Sequence, residues 1–180
     1  GVSRSDTDVS FERYPVAQTF RLNANGETVT VLVNHFKSKG CLDATGPDLD
    51  QGDGQGCYNA TRVAEAEALL GFIDTLQTDT GDEDVFVIGD INSYAMEDPI
   101  LVLLGGGLVD LLAIHEDNAY TYVFDGQAGV LDHGLATASL VPEVTAADAW
   151  HINADEPSVI DYNTEFKPQD LYQPDLYRAS

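Results

Sequence analysis

Residues 85–94 read VFVIGDINSY. The run Val85, Phe86, Val87 and Ile88 is apolar throughout, as suits a short strand buried at the centre of a sheet. Gly89 is expected to end that strand and to let the chain turn without a side chain in the way. Asp90 and Asn92 follow two residues apart, so continued extended geometry aims both at one side of the strand end. A carboxylate and an amide projecting from a rigid strand end into a cleft suit a metal ion or a phosphoryl group. The structural alternative is a strand closed by an Asx turn, with no chemistry attached.

Upstream of this stretch the pattern is that of a helix over 60–76, with Asn59 as its cap. Val63, Ala66, Leu69 or Leu70, Ile73 and Leu76 recur at helical spacing and predict its buried stripe. Arg62 falls in the first turn, the unfavourable end for a cation, so an acidic or anionic partner is expected there. That partner is either Asp53 or a neighbour of it, or a substrate phosphate. Two strands precede the helix, over 16–22 and 29–36, and Asn25-Gly26 between them signals a hairpin. The second strand delivers Asn34, His35, Lys37 and Lys39 in NHFKSKG. Two of only eight basic residues lie in that piece, which draws attention to His35 as a substrate-facing group.

Between these strands and the helix lies an acidic, glycine-rich loop bounded by the two cysteines, Cys41 and Cys57. A disulfide between them would close a short loop that cannot pack itself and contribute roughly 3 kcal/mol; two free buried thiols are the alternative. Asp43, Asp48, Asp50 and Asp53 space oxygen ligands among glycines, a composition that resembles a calcium loop but lacks the spacing and closing Glu of an EF-hand. A solvated acidic loop is the competing reading.

Downstream, a short helix is expected over 97–104, with Pro99 near its start. The apolar piece 108–114, with Asp110 in its middle, fits a strand or a turn of helix. Residues 121–124 alternate as a strand, Asp125-Gly126 and Gly129 turn the chain, and 130–138 returns as a strand. Asp132 and His133 are adjacent on that strand and so face opposite ways unless it bends at Gly134. Another strand is expected over 144–150. The segment 151–161 reads as polar and turn-like, and the tail from Phe166, with Tyr172 and Tyr177, has little periodicity.

The charge balance narrows the functional classes. Thirty-one acidic residues against 8 basic ones give a formal charge of −23. Such a surface repels polyanions and suits a salty or cation-rich medium. It excludes tight, sequence-independent nucleic-acid binding through Lys and Arg, though not an enzyme that holds a phosphodiester through divalent cations. No apolar run is long enough to span a membrane, and the sequence begins without Met, so a leader or a larger amino-terminal part is expected to precede it. With a disulfide, this fits a secreted, extracellular or periplasmic protein.

Taken in order, the strings NHFKSKG, GCYNATR, VIGDINSY, YTYVFDG, VLDHGL and WHINADEP resemble the endonuclease/exonuclease/phosphatase superfamily, most closely its secreted bacterial nucleases. The resemblance implies an α/β fold, the second half of a four-layer sandwich of the DNase I-like type, with residues 1–180 as a partial domain. By the same resemblance His35 hydrogen-bonds the scissile phosphate. Asp90 aligns or activates the attacking water and Asn92 orients the phosphate and that acid, both with a part in metal binding. Asp132 orients a catalytic histidine, and His133 stands at a position that varies in the family. Lys37, Lys39 and Arg62 are the candidate substrate-binding cations, and Cys41 with Cys57 matches the secreted branch's disulfide. The implied cofactor is Mg2+ or Mn2+, with Ca2+ as a structural ion of the acidic loop, and the implied substrate is DNA or RNA.

The family's metal-binding Glu and its companion Asn find no match here, and Ser180 resembles the first residue of the closing Ser-Asp-His. The expectation is therefore a chain lacking the amino-terminal half, which leaves an apolar sheet face exposed or covered by dimerisation, without membrane association. Residues 1–180 alone are expected to be inactive; if they cleave, Asp110 is the first alternative metal ligand to examine. The competing functions are another phosphoesterase, such as a sphingomyelinase or phosphomonoesterase, and a non-catalytic calcium-stabilised module.

Overall fold

A computed structural model describes residues 11–151 together with Ala154 and Asp155. Residues 1–10 and the tail with Tyr172, Tyr177 and Ser180 lie outside the described residues. The central sheet has five strands in the order β1-β2-β3-β7-β4. β1 (Val16–Arg21) and β2 (Thr28–His35) form the hairpin signalled by Asn25-Gly26. β3 (Val85–Asp90) runs parallel to β2, as the helical crossover α1 (Asn59–Thr80) between them requires. β7 (Asp132–Thr137) lies antiparallel to β3 and carries β4 (Leu108–Asp110) on its far side.

One face of the sheet is covered by α1 and by α2 (Asp98–Gly105). Leu32, Val85, Val87 and Leu135 point from the strands into this layer and meet Ala66, Leu69, Ile73, Ile100 and Leu103 from the helices. The alternate residues point the other way. Val16, Phe20, Val33 and Ile88 are 40–63% exposed, and the register aligns Val16 with Val33 and Val33 with Ile88. Only the β7 end of this face is partly covered, where Leu140, Val144 and Ala147 pack near Phe86, Ala136 and Leu111. The apolar run Val85–Ile88 of β3 has the composition of a strand buried on both faces, yet among the described residues one face of the sheet is largely open.

Several elements differ from the sequence expectation. Residues 121–124 do not join the main sheet: β5 (Tyr122–Phe124) and β6 (Gln127–Gly129) form a separate two-stranded hairpin closed by Asp125-Gly126. The piece 108–114 is both readings at once, since β4 ends where Asp110 caps α3 (Leu111–His115) by accepting from the N–H groups of Leu112 and Ala113. Residues 144–150 are irregular rather than a strand. Asn59 is the first residue of α1 rather than its cap; Tyr58 caps in the left-handed conformation. The capping work comes from the loop, where Asp48 accepts from the backbone N–H and the hydroxyl of Thr61 at 2.9 and 2.7 Å.

The loop itself is closed by the Cys41–Cys57 disulfide, with Cα atoms 5.1 Å apart. Cys57 is buried while the loop's leucines, Leu42 and Leu49, remain exposed, so the loop owes its shape to cross-links rather than to a core of its own. Replacing both cysteines by alanine should therefore cost about 3 kcal/mol. For a chain of this length that is a Tm lower by roughly 6–12 °C, readable by calorimetry with and without reductant.

Candidate active site

The register of the central strands sets three titratable side chains in a row. His35 on β2 is the partner of Asp90 on β3, and Asp90 is the partner of Asp132 on β7. Cross-strand partners share a face, and Val33, Ile88 and Gly134, two residues back on each strand, belong to the open one. The row thus lies at the rim of the open face. His35 Nε2 is 3.5 Å from Asp90 Oδ2, with both side chains partly exposed.

Gly89 is not the end of the strand. It lies within β3, with φ of +133°, and a Cβ there would stand 2.0 Å from the carbonyl oxygen of Asn34. The absence of a side chain lets β2 and β3 close up just before His35 and Asp90. The strand ends at Asp90, and extended geometry does not continue: Asn92 is left-handed at φ of 51°. Its backbone N–H donates to Asp90 Oδ1 at 2.8 Å, and its Nδ2 donates to the Phe36 carbonyl at 3.0 Å. The Phe36 N–H in turn donates to the Asp90 carbonyl. The Asx turn and the cleft-facing pair, read from sequence as alternatives, are therefore the same structure. The turn clamps the ends of β2 and β3 together and still leaves Asp90 and Asn92 lining one cleft.

That cleft has a volume of about 680 Å³. Its lining includes Asp90, Asn92 and Asp132, the aromatic rings of Tyr94, Tyr122 and Phe124, and Lys39, Asp50 and Gly54 from the loop region. Burial pushes the Asp90 carboxyl above its ordinary value and nearby Asp132 adds to this, against the Asn92 N–H and His35. A carboxyl bound more tightly by protons in the fold than in the unfolded chain contributes most below its unfolded value, and its ionisation opposes folding increasingly as pH rises through the folded one. Asp90→Asn should accordingly raise Tm at neutral pH and leave it unchanged near pH 3. Thermal melts at both pH values check the sign.

The three candidate cations are placed differently from expectation. Arg62 does not face a substrate: it is fully buried. Its Nη1 donates to the Cys57 carbonyl at 2.8 Å, its Nη2 to the Gln55 carbonyl at 2.9 Å and its Nε to Ser93 Oγ at 3.2 Å. It fastens the disulfide loop to the turn after Asn92. Beneath it Glu65, also buried, accepts from the Lys37 N–H. Lys37 pairs with Glu12 at 3.1 Å and lies over the Tyr58 ring. Lys39 lines the cleft, but both oxygens of Glu97 hold its ammonium, which also lies over Tyr94. Burial lowers the Lys39 pKa despite Glu97.

His133 is not in the cleft. Its side chain is buried on the opposite side of β7 from Asp132. Its Nε2–H donates to the Ser93 carbonyl at 2.8 Å, and Nδ1 is 3.7 Å from Asp110. Burial works against ionisation of Asp110, but His133 and the capped N–H groups outweigh it and hold the carboxyl low. Asp110 and His133 thus brace the turn from behind; neither is placed to ligate a metal in the cleft. Tyr94, Tyr122, Phe124 and Glu97 were not anticipated at the site. The one available signal was the spacing of Tyr122 and Phe124, which a strand sets on a single side.

Asp90, Asp132 and the Asn92 amide present hard oxygen donors with no Lys or Arg paired to them among the described residues, a donor chemistry that fits Mg2+ or Mn2+. Among the described residues no three His, Cys, Asp or Glu side chains are grouped to hold an ion. In the acidic loop Asp48 bonds Thr61, while Asp50 and Asp53 accept from the N–H groups of Gly52 and Gln55.

No protein-family model matches the chain, and no curated protein does. Solved structures do. An endonuclease/exonuclease/phosphatase family protein from Bacteroides thetaiotaomicron matches at 16% identity over 71% of this chain and 42% of that one, with a TM-score of 0.53. A mannosyl-6-phosphatase from the same organism matches at 16% over 71% and 43%, with a TM-score of 0.54. The human Nocturnin catalytic domain, with a bound sulfate anion, matches at 16% over 69% and 41%, with a TM-score of 0.50. The likeness establishes the DNase I-like α/β fold, and the chain spans less than half the length of each of these structures.

Proposed function

We propose that this chain carries the phosphate-handling side of a metal-dependent phosphoesterase and that its substrate is nucleic acid. The observation that carries the proposal is the row His35, Asp90, Asp132 at aligned strand ends, in a fold shared with structures named for endonuclease, exonuclease and phosphatase activity. His35 donates to a phosphate oxygen. Asp90, whose burial strengthens it as a base, takes or aligns the proton of the attacking water. The Asn92 side chain, fixed by its bond to the Phe36 carbonyl, orients the phosphate. Asp132 faces the same cleft and suits the orientation of a further group. Asp90, Asn92 and Asp132 would hold Mg2+ or Mn2+, which when bound polarises the phosphate and stabilises the leaving oxygen.

The open sheet face supports a second part of the proposal. Another segment of the same protein, the amino-terminal half, covers that face and completes the ligand set; a second copy of the chain is the alternative cover. The disulfide supports a secreted, extracellular or periplasmic setting, and no helix among the described residues is long and apolar enough to cross a membrane. Phosphomonoester hydrolysis is the second reading, favoured by the likeness to a mannosyl-6-phosphatase. Assaying the full polypeptide on plasmid DNA, RNA, sphingomyelin and sugar phosphates, with and without chelator, separates the readings. Chelator-sensitive cleavage of DNA or RNA is expected; turnover confined to monoesters would displace the nuclease reading.

A further inference from the structure

The hairpin β5–β6 is left over from the fold. It contributes nothing to the main sheet and little to the core, since Tyr122 is 44% and Phe124 64% exposed. Large aromatic side chains left in water on a short, two-stranded hairpin call for a ligand or partner. Their surroundings narrow the choice. Tyr122 and Phe124, two apart on β5, share one side of the hairpin, with rings 13° from parallel and centroids 6.4 Å apart. Both line the cleft that holds Asp90, Asn92 and Asp132, so they do not project away from the site as a membrane anchor would.

The hairpin is also tied to the site. Thr121, at its base, accepts from the N–H groups of Leu131 and Asp132 at 3.0 Å, and the Ile91 N–H donates to the Leu131 carbonyl at 2.9 Å. On its other side Tyr94 lies against Gly129, where a Cβ would come within 2.6 Å of the ring. The aromatic pair is therefore fixed relative to the carboxylates. Flat apolar surface beside a phosphate site suits a ligand that is planar and aromatic at one end and anionic at the other. It also offers attraction that a chain of charge −23 cannot supply through cations.

We infer that Tyr122 and Phe124 form a stacking platform for an unpaired nucleobase adjoining the phosphate that His35 and Asn92 hold. The inference rests on the phosphoesterase reading above and adds the substrate class: single-stranded or frayed nucleic acid. Stacking is tolerant of base identity and strong enough to be measured, with alanine-type removal costing roughly tenfold or more in affinity.

The test compares a short fluorescent single-stranded DNA with the same strand made fully abasic, by anisotropy in the presence of Ca2+ to suppress cleavage. The proteins are the full polypeptide and its Tyr122→Leu/Phe124→Leu variant. Leucine keeps apolar bulk at exposed positions, and circular dichroism verifies the fold. The wild type should prefer the base-bearing strand by about tenfold or more, and the variant should lose that preference while binding the abasic strand as before. Equal binding of the two strands by the wild type, a preference that survives in the variant, or no binding of either strand would overturn the platform. So would partition into phosphatidylcholine vesicles that depends on the two rings without any preference for bases. Hydrolysis by the wild type is scored separately, with Asp90→Asn as its inactive control: a wild type that hydrolyses a phosphoester but shows no base preference removes only the platform. A retained preference without hydrolysis of any phosphoester supports the platform and removes the catalytic reading.

Discussion

Gly89→Ala should destabilise the protein by more than about 3 kcal/mol, lowering Tm by roughly 10 °C or more if it folds at all. The new Cβ would lie 2.0 Å from the Asn34 carbonyl oxygen, with the Asn34 carbonyl carbon and nitrogen at 3.0 and 3.1 Å. All three are backbone atoms of the strand next door, so no side chain can swing aside. The φ of +133° is itself open to glycine and hardly to anything else. Relief requires β2 and β3 to separate at the residue pair just before His35 and Asp90, and the site distances would change with it. Gly71 supplies the control. It is exposed in α1, with nothing within 4 Å of its added Cβ, so Gly71→Ala should stabilise by about 0.5–1 kcal/mol through helix propensity. Chemical denaturation of both variants gives opposite signs from the same substitution. Similar midpoints for the two would show that β2 and β3 are not held as closely as described.

The contrast between those glycines shows what a sequence can and cannot convey. Short-range patterns were legible: the apolar run at Val85–Ile88, the Asn25-Gly26 turn and the helical spacing of Ala66, Leu69 and Ile73 each fix their own element. The likeness of ordered motifs to a known superfamily then placed His35, Asp90 and Asp132, which the register brings together. What escaped depends on partners distant in sequence. Arg62 reads as a first-turn cation facing an acidic or anionic partner. Arg62 is buried instead, because the carbonyls of Gln55 and Cys57 and the hydroxyl of Ser93 await it. Gly89 looked like a turn residue because a close approach by Asn34 leaves no local trace. Asp132 and His133 read as facing opposite ways, as they do on β7, but which of the two enters the cleft has no local signal.

Catalysis should fail almost completely when Asp90 is replaced, and more sharply than stability considerations suggest. The carboxylate sits between His35, Asp132 and the Asn92 N–H, and Asn is nearly its equal in shape. Asp90→Asn removes the charge and the basicity while keeping the acceptor that caps the turn. In the full polypeptide it should lower the rate of phosphodiester cleavage by about a thousandfold or more, and His35→Ala by roughly a hundredfold. Both should leave the melting temperature the same or, for Asp90→Asn at neutral pH, higher. That divergence is the useful reading, because a variant that loses activity by unfolding moves both quantities the same way. Residues 1–180 alone should give no chelator-sensitive cleavage, since the groups gathered at the strand ends do not by themselves make a three-carboxylate or His-rich metal centre among the described residues. Members of such a set fail together when one is missing. The comparison to run is therefore three-way, on supercoiled DNA with Mg2+, Mn2+ or chelator: the full polypeptide, its Asp90→Asn variant and residues 1–180. Chelator-sensitive cleavage by residues 1–180 that disappears with Asp90→Asn would show that the open face needs no cover for activity. Its ligands would then come from the cleft as it stands, with Asp132 and Asp50, rather than Asp110, the next to substitute.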